Sequence, residues 1–194
     1  MLRLLMISSA LAGCVPYALP PLKAELGGAT LTGQKPALHA GGGAHLASGV
    51  LDKQQAFDVG VGGFVEVDED SGNTAAAYVD TAVFVERDHQ TRTSLGVRGE
   101  VRWTADAEGV QRRGYGAKLR VEREMFGTTN KGYSESARCG AFAGAARGTG
   151  GIGVFAEAGP VWMPEQRTAF SATAGITLRV PSTIGIIVAI PGCR

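Results

Sequence analysis

The sequence has little net charge. Its 19 Lys and Arg residues nearly balance its 18 Asp and Glu residues, and the formal net charge at neutral pH is +1. A basic face for nucleic acid, or an acidic tail, needs a clear excess of one sign. The composition therefore predicts no nucleic-acid partner.

Helical patterns are also missing. No segment shows a helical period of apolar residues, and the apolar run from Leu4 to Leu11 is broken by two serines. A membrane-spanning helix needs about 20 apolar residues, so this run is too short to be one. The sequence does not predict a helical protein.

Recognisable catalytic and metal-binding spacings are absent as well. His39 and His45 share one face of a predicted strand, but six residues at about 3.3 Å each separate them by roughly 20 Å, too far for one metal ion. No nucleophile-elbow pattern occurs, and the glycine clusters lack the strand-loop-helix setting of a phosphate site. We expect no enzyme activity, no metal and no cofactor.

Glycine, by contrast, is abundant. The 29 glycines are about twice the usual share. They fall inside the periodic segments as well as between them. Glycine at such positions permits close packing and sharp curvature in a small barrel.

The dominant pattern is an alternation with period two, which is typical of half-buried strands. Phe57, Val59, Val61, Val65 and Val67 lie on one face of such a segment, and polar residues occupy most of the other. Similar segments give about eight strands: 37–49, 57–68, 75–86, 94–104, 112–124, 136–146, 152–162 and 168–180.

Short turn-like stretches rich in Gly, Asp, Asn and Pro join these segments. The simplest topology is an antiparallel up-and-down meander, which closes into a β-barrel because closure removes unpaired edges. We predict an all-β barrel domain over residues 37–194 with eight to ten strands. The range reflects the segment Thr183–Ile190, which either extends the last strand past Pro181 or turns back as another strand.

The first residues resemble an export signal. A lone Arg3 precedes the apolar run and small residues close it, so residues 1–13 are predicted to be a removable signal peptide. Leu11-Ala12-Gly13-Cys14 resembles the lipobox of bacterial lipoproteins, which implies acylation of Cys14. Ordinary cleavage after Ala12 is the alternative. Residues 14–36 are then predicted to be the lipidated cysteine and a proline-rich spacer.

Export implies an oxidising compartment, in which Cys139 and Cys193 are available for a disulfide. If 136–146 is the sixth of eight barrel strands, however, the two cysteines fall at opposite ends of the barrel and cannot bond. A disulfide between Cys139 and Cys193 and the assignment of 136–146 to the sixth barrel strand therefore exclude each other.

Which face of the strands points inward stays open. A soluble barrel buries its Val and Leu face, whereas a transmembrane barrel turns that face to lipid. Three features favour the transmembrane arrangement: the aromatic residues on the polar face, the aromatic residues near strand ends on the apolar face, and a resemblance of Thr173–Val180 to the last-strand signal of outer-membrane barrels. The chain end Pro191–Arg194 lacks their usual terminal aromatic residue, and a lipidated barrel has a second anchor.

One cluster of charges accompanies the alternation on two neighbouring strands. If these side chains face inward, they must pair with one another, because an unpaired buried charge costs several kcal/mol. On a solvated outer face they contribute well under about 1 kcal/mol for each cross-strand pair. The candidate lumen network consists of Arg98, Glu100, Arg102, Lys118, Arg120, Glu122 and Glu124.

Together these features predict a lipid-anchored β-barrel of the bacterial outer membrane, not an enzyme, with a structural or envelope-interaction role. Its partners are membrane lipid, through Cys14 and through the barrel exterior, or an envelope protein. The alternative is a tethered, periplasm-facing barrel that binds an apolar small molecule as lipocalins do. An envelope enzyme is the third reading.

Overall fold

The structure is all-β. The computed structural model describes residues 15–48, 57–68, 72–87, 91–105, 111–126, 142–145, 150–164, 168–180 and 185–189. None of these residues lies in a helix, so the described part of the chain contains no helix long enough to cross a membrane. The predicted fold class, an antiparallel up-and-down barrel of about eight strands, is confirmed.

Eleven strands are found in the described residues. They are β1 (Val15–Leu19), β2 (Leu22–Leu31), β3 (Ala37–Ser48), β4 (Phe57–Asp68), β5 (Gly72–Arg87), β6 (Thr91–Ala105), β7 (Gln111–Phe126), β8 (Phe142–Ala145), β9 (Gly151–Trp162), β10 (Ala169–Val180) and β11 (Gly185–Ala189).

Eight of these strands form the closed barrel, in the order β10-β2-β3-β4-β5-β6-β7-β9. Every barrel pair is antiparallel, and β9 pairs with β10 to complete the ring. The barrel begins at Leu22 and ends at Val180, which are register partners. We call this the terminal end, and the opposite end, where β2 stops at Leu31 and β10 starts at Ala169, the turn end.

The predicted boundary between spacer and barrel is wrong. Leu22–Leu31, assigned to the spacer, is a barrel strand that pairs with β3 on one side and β10 on the other. The prolines Pro20, Pro21 and Pro36 flank this strand and do not interrupt it. Proline outside a strand leaves the ladder hydrogen bonds intact, so a proline-rich composition did not exclude a central strand here.

The predicted sixth barrel strand, 136–146, is also wrong. Its described part, Phe142–Ala145, pairs with β11 in a separate three-stranded sheet, and β7 pairs directly with β9. The predicted count of eight holds because β2 takes the place of this segment. The premise that put Cys139 and Cys193 at opposite ends of the barrel is therefore removed.

The three-stranded sheet repeats the order of the neighbouring barrel wall. Its order is β1-β11-β8, and these strands adjoin β2, β10 and β9 in the chain. The pair of Leu19 and Gly185 in the three-stranded sheet leads along the chain to the barrel pair of Leu22 and Val180. In the same way, the pair of Ala145 and Ile186 leads to the barrel pair of Gly151 and Arg179. The sheet therefore adjoins the terminal end, and β11 does not turn back along β10.

Barrel strands turn their polar residues inward. On β4, Asp58, Phe64 and Glu66 are buried, whereas Val61 and Val65 are about half exposed on the other face. The same alternation runs along β6, β7, β9 and β10. The apolar face is the exterior of the barrel, and the charged face is its interior.

Glycines allow the wall to curve sharply and leave room for large interior side chains. Gly43 on β3 faces Gly62 on β4. A Cβ on Gly62 would overlap the Gly42 carbonyl oxygen and lie 2.6 Å from the Tyr78 hydroxyl oxygen. Gly27 and Gly175 face one another in the same way across β2 and β10. Part of the glycine content is thus a requirement of interior volume.

We expect Gly62→Ala to destabilise the barrel by about 1–3 kcal/mol, because the methyl group must displace backbone as well as the Tyr78 ring. Gly99→Ala is the matched control, since nothing lies within 4 Å of a Cβ at Gly99 on β6. Alanine there is expected to be neutral or stabilising by up to about 1 kcal/mol. Denaturant titration of both variants measures the difference, and equal effects would contradict the volume argument.

Candidate functional site

The barrel interior is filled with ionisable side chains. Among the described residues, seven Lys and Arg side chains and eight Asp and Glu side chains are buried, together with two histidines. They are Lys23, Arg92, Arg98, Arg102, Lys118, Arg120, Arg179, Glu25, Asp58, Glu66, Asp80, Glu100, Glu122, Glu124, Glu157, His39 and His45. The near balance of signs allows each charge an opposite partner.

Arg98, fully buried on β6, occupies the centre of this lumen network. Its guanidinium donates to both carboxylate oxygens of Glu25, at 3.0 and 2.8 Å, and to Asp80 at 3.0 Å. Glu157 lies 3.2 Å away, and the ring of Tyr78 stacks on the guanidinium at 3.8 Å. A single side chain thus links β2, β5, β6 and β9 across the lumen.

Arg120 and Lys118 on β7 share the Glu157 carboxylate. Arg120 Nη1 donates to Glu157 Oε2 at 2.9 Å, and Lys118 Nζ donates to Glu157 Oε1 at 3.2 Å. Lys118 also lies 3.3 Å from Glu100, and Arg120 donates to Glu122 at 3.2 Å. Inward residues of β7 are therefore tied to neighbours on both sides and along their own strand.

Near the terminal end, Arg179 bridges Asp58 on β4 and Glu124 on β7. Its Nη2 donates to Asp58 at 2.6 Å and its Nε to Glu124 at 2.8 Å. Arg92 donates to the other Glu124 oxygen, and His45 lies 3.2 Å from Asp58. Charge-assisted bonds of this kind are about twice as strong as neutral ones.

Near the turn end, Glu66 pairs with Arg102. His39 lies between two carboxylates, with its Nδ1 3.5 Å from Glu66 and its Nε2 3.6 Å from Glu25. The His39 ring packs against Phe64, with centroids 4.8 Å apart. Since Glu25 also binds Arg98, the network is continuous from this end to the middle of the barrel.

The network extends along most of the lumen. Arg92 and Arg102 are ten residues apart on β6, which corresponds to about 33 Å along the strand. Lys23 pairs with both Glu25 and Glu122 and so connects the middle to the wall at β7. An interior cavity beside Asp58 and Glu122 has only about 10 Å³, which is about the minimum for one water molecule. Side chains therefore fill this part of the lumen.

All seven residues of the predicted lumen network lie inside the barrel, and each makes an ion pair there. Sequence reasoning missed most of their partners, including Glu25, Asp80, Glu157 and Arg179. The alternation of the charges is visible in the sequence, but these missed partners lie on other strands, far away in the chain. Cys14, Cys139 and Cys193 lie outside the described residues.

The histidines do not form a metal site with their neighbours. Within the described residues, no three His, Cys, Asp or Glu side chains are grouped so that they could hold a metal ion. His39 instead contacts carboxylates of the lumen network near the turn end, and His45 contacts others near the terminal end. Their arrangement fits a role in packing the interior charges.

The exterior is a continuous apolar surface. Large apolar side chains that are roughly half exposed occur on every barrel strand, with Leu119 at 67%. On the outer face of β7 the exposed Arg113 and Arg123 are ten residues apart, and the exposed Met125 continues the apolar surface beyond Arg123. At about 3.4 Å per residue and a tilt near 40°, the band between the two arginines is roughly 25 Å tall.

Aromatic residues border this band at the turn end. Trp103, Tyr115, Trp162 and Phe170 are exposed on β6, β7, β9 and β10. Tyr115 is the register partner of Trp162, and Phe170 that of Pro160 beside it. We refer to these four residues as the aromatic rim.

Comparison of the chain with protein-family models, with curated proteins and with solved structures finds no match. The geometry of the interior and exterior therefore carries the functional argument.

We expect Arg98→Met to destabilise the barrel by about 3–5 kcal/mol, because it leaves Glu25, Asp80 and Glu157 without their shared cation. The matched control is Arg123→Met, which removes an exposed ion pair with Glu86 at 3.3 Å and is expected to cost less than about 1 kcal/mol. Denaturant titration compares the two. A loss at Arg98 no larger than that at Arg123 would show that the interior pairs do not hold the barrel together.

Proposed function

We propose that this protein is a small membrane-spanning β-barrel of the bacterial outer membrane with a structural or envelope-interaction role. The observation that carries the proposal is the inverted arrangement of the barrel, with charges inside and a continuous apolar surface outside. Soluble proteins rarely expose large contiguous apolar patches. Transmembrane barrels have an apolar band about 25 Å tall with aromatic residues at its borders.

The filled lumen supports a structural role. An eight-stranded barrel has room inside only for side chains or one small ligand. Here Arg98, Arg120 and their carboxylate partners occupy the middle of the lumen, with Phe155 packed against Arg120 and Phe64 against Arg102. The protein is therefore proposed to be a closed barrel without a general pore.

The lipocalin-like alternative depends on a Val- and Leu-lined interior. Leu95, Val97 and Leu119 are exposed on the outside of the barrel, whereas Arg98 and Lys118 are buried inside. An apolar ligand inside this barrel would separate charged side chains that pair with one another. Each buried charge left without its partner would cost free energy. The arrangement favours the membrane-spanning barrel over this alternative.

Acylation of Cys14 is part of the proposal. Cys14 directly precedes β1, and β1 is separated from barrel strand β2 only by Pro20 and Pro21. The acyl chains would thus attach on the terminal-end side of the barrel, at the far end of the three-stranded sheet. Several acyl chains make membrane anchoring stable, since a single chain binds only marginally.

A Cys14→Ala protein, exported with an ordinary signal peptide, tests the membrane-spanning barrel. It is expected to remain in the outer membrane after carbonate extraction, because the apolar exterior holds it there without acyl chains. Its unboiled form is expected to migrate differently from the boiled form on a gel. A soluble periplasmic Cys14→Ala protein would mean that the lipid was its only anchor and would refute the proposal.

The pairing in the three-stranded sheet supports a disulfide between Cys139 and Cys193. Phe142, at the start of β8, pairs with Ala189, at the end of β11. Cys139 is three residues before Phe142 and Cys193 is four residues after Ala189, so both leave the same end of this pair. Each cysteine lies within about 10–14 Å of that end along the chain, so the two can meet.

We expect the exported protein to resist thiol alkylation unless it is first reduced, as measured by mass spectrometry of the intact chain. Cys139→Ser is the control, because it should leave Cys193 free to react without reduction. Alkylation of both cysteines in the unreduced native protein would contradict the disulfide.

A further inference from the structure

Two arginines on the outer face of β7 lie in different electrostatic settings. Arg123, toward the terminal end, is neutralised by Glu86 at 3.3 Å. Arg113, toward the turn end, makes no ion pair with any described carboxylate, and its guanidinium lies 5.4 Å from the centre of the Tyr115 ring. A cation that pairs with none of the described carboxylates thus lies on the outer face of β7 near the turn end.

Arg113 lies within the aromatic rim. It is the register partner of Trp103 on β6, and Tyr115 follows it on the same face of β7. Trp and Tyr at such borders lie at the level of lipid headgroups. In a membrane-spanning barrel, Arg113 is therefore at the depth where lipid phosphates are found.

An apolar groove of about 330 Å³ runs beside this position on the exterior wall. It is lined by Val65 and Val67 on β4, by Ala75 on β5, by Trp103 and Ala105 on β6, and by the polar residues Asn73, Thr74 and Gln111. Val65, Ala75 and Trp103 are register neighbours across β4, β5 and β6. Small residues between larger ones thus form a depression that begins at the same border as Arg113.

We propose that Arg113 and this groove form a binding site for an anionic phospholipid of the leaflet at the turn end. The Arg113 guanidinium binds the headgroup phosphate, because its fork of N–H donors matches phosphate oxygens. An acyl chain of the same lipid lies in the groove against Trp103 and Ala75. The site rests on the membrane-spanning barrel proposed above.

Charge complementarity selects this occupant. The groove alone would accept any acyl chain, but the cation at its border favours a lipid whose phosphate is not neutralised by its own headgroup. The attraction between one cation and an anionic membrane surface is strong enough to enrich such lipids about fivefold. The neutralised pair at Arg123 and Glu86 provides no comparable attraction toward the terminal end.

Quenching of Trp103 fluorescence by brominated lipids tests the site. Full-length protein with Trp162→Phe leaves Trp103 as the single tryptophan, and it is folded into phosphatidylcholine vesicles that contain a minor fraction of phosphatidylglycerol. Bromine is carried on the acyl chains of either lipid, at equal total bromine. The proposal expects bromo-phosphatidylglycerol to quench about fivefold more per molecule than bromo-phosphatidylcholine.

The variants test whether the preference for phosphatidylglycerol depends on the charge of Arg113 or arises from any lipid in contact with Trp103. Arg113→Gln is expected to abolish the preference for bromo-phosphatidylglycerol, Arg113→Lys to retain part of it, and Arg123→Gln to leave it unchanged. Gel mobility before and after boiling confirms that each variant is folded. If Arg113→Gln does not fold, the comparison of Arg113→Lys and Arg123→Gln with the parent still decides the proposal.

Equal quenching by both lipids in the parent protein would overturn the phospholipid site and leave the membrane-spanning barrel intact. A preference that survives Arg113→Gln would overturn the role of Arg113. Absence of quenching by either lipid would overturn the site and the membrane-spanning barrel together.

Discussion

Inside the barrel, every buried cation has to lie beside a buried carboxylate, because an unpaired charge in so narrow a lumen costs several kcal/mol. Arg98 meets this requirement with carboxylates from three other strands, Glu25, Asp80 and Glu157. Such pairs fix the register between strands, since a slip of one residue would turn the charges outward and the apolar residues inward. The interior pairing and the apolar exterior are therefore one constraint, expressed on the two faces of each strand.

Space inside the barrel is the second constraint. The large side chain of Tyr78 lies over the neighbouring strands, where Gly62 and Gly43 have no side chain in its place. Sequence alternation marks these glycines as inward, but only the fold shows which large side chain each one accommodates. Glycine abundance and interior charge are thus complementary features of the same small barrel.

Several elements could be predicted from local patterns. The alternation at Phe57–Asp68 and at Thr91–Ala105 identified strands and their two faces, because a period of two has a direct geometric meaning. The strand Leu22–Leu31 is not predicted although Leu22, Lys23, Ala24 and Glu25 alternate, because the prolines on either side favour an extended spacer. Segment 136–146 was assigned to the barrel on a weak alternation that many small residues imitate.

By itself, the sequence determined the antiparallel strands, the meander and the charged character of one face, because these follow from residues close together in the chain. The tertiary structure decided that this face is the interior, that β7 bypasses β8 to pair with β9, and that Arg98 meets Glu25 and Glu157. These outcomes depend on ring closure and on contacts between residues far apart in the chain, such as Arg179 and Asp58, which are 121 positions apart. Local periodicity indicates on which face of its strand a side chain lies, but it does not indicate which partner that side chain contacts across the barrel.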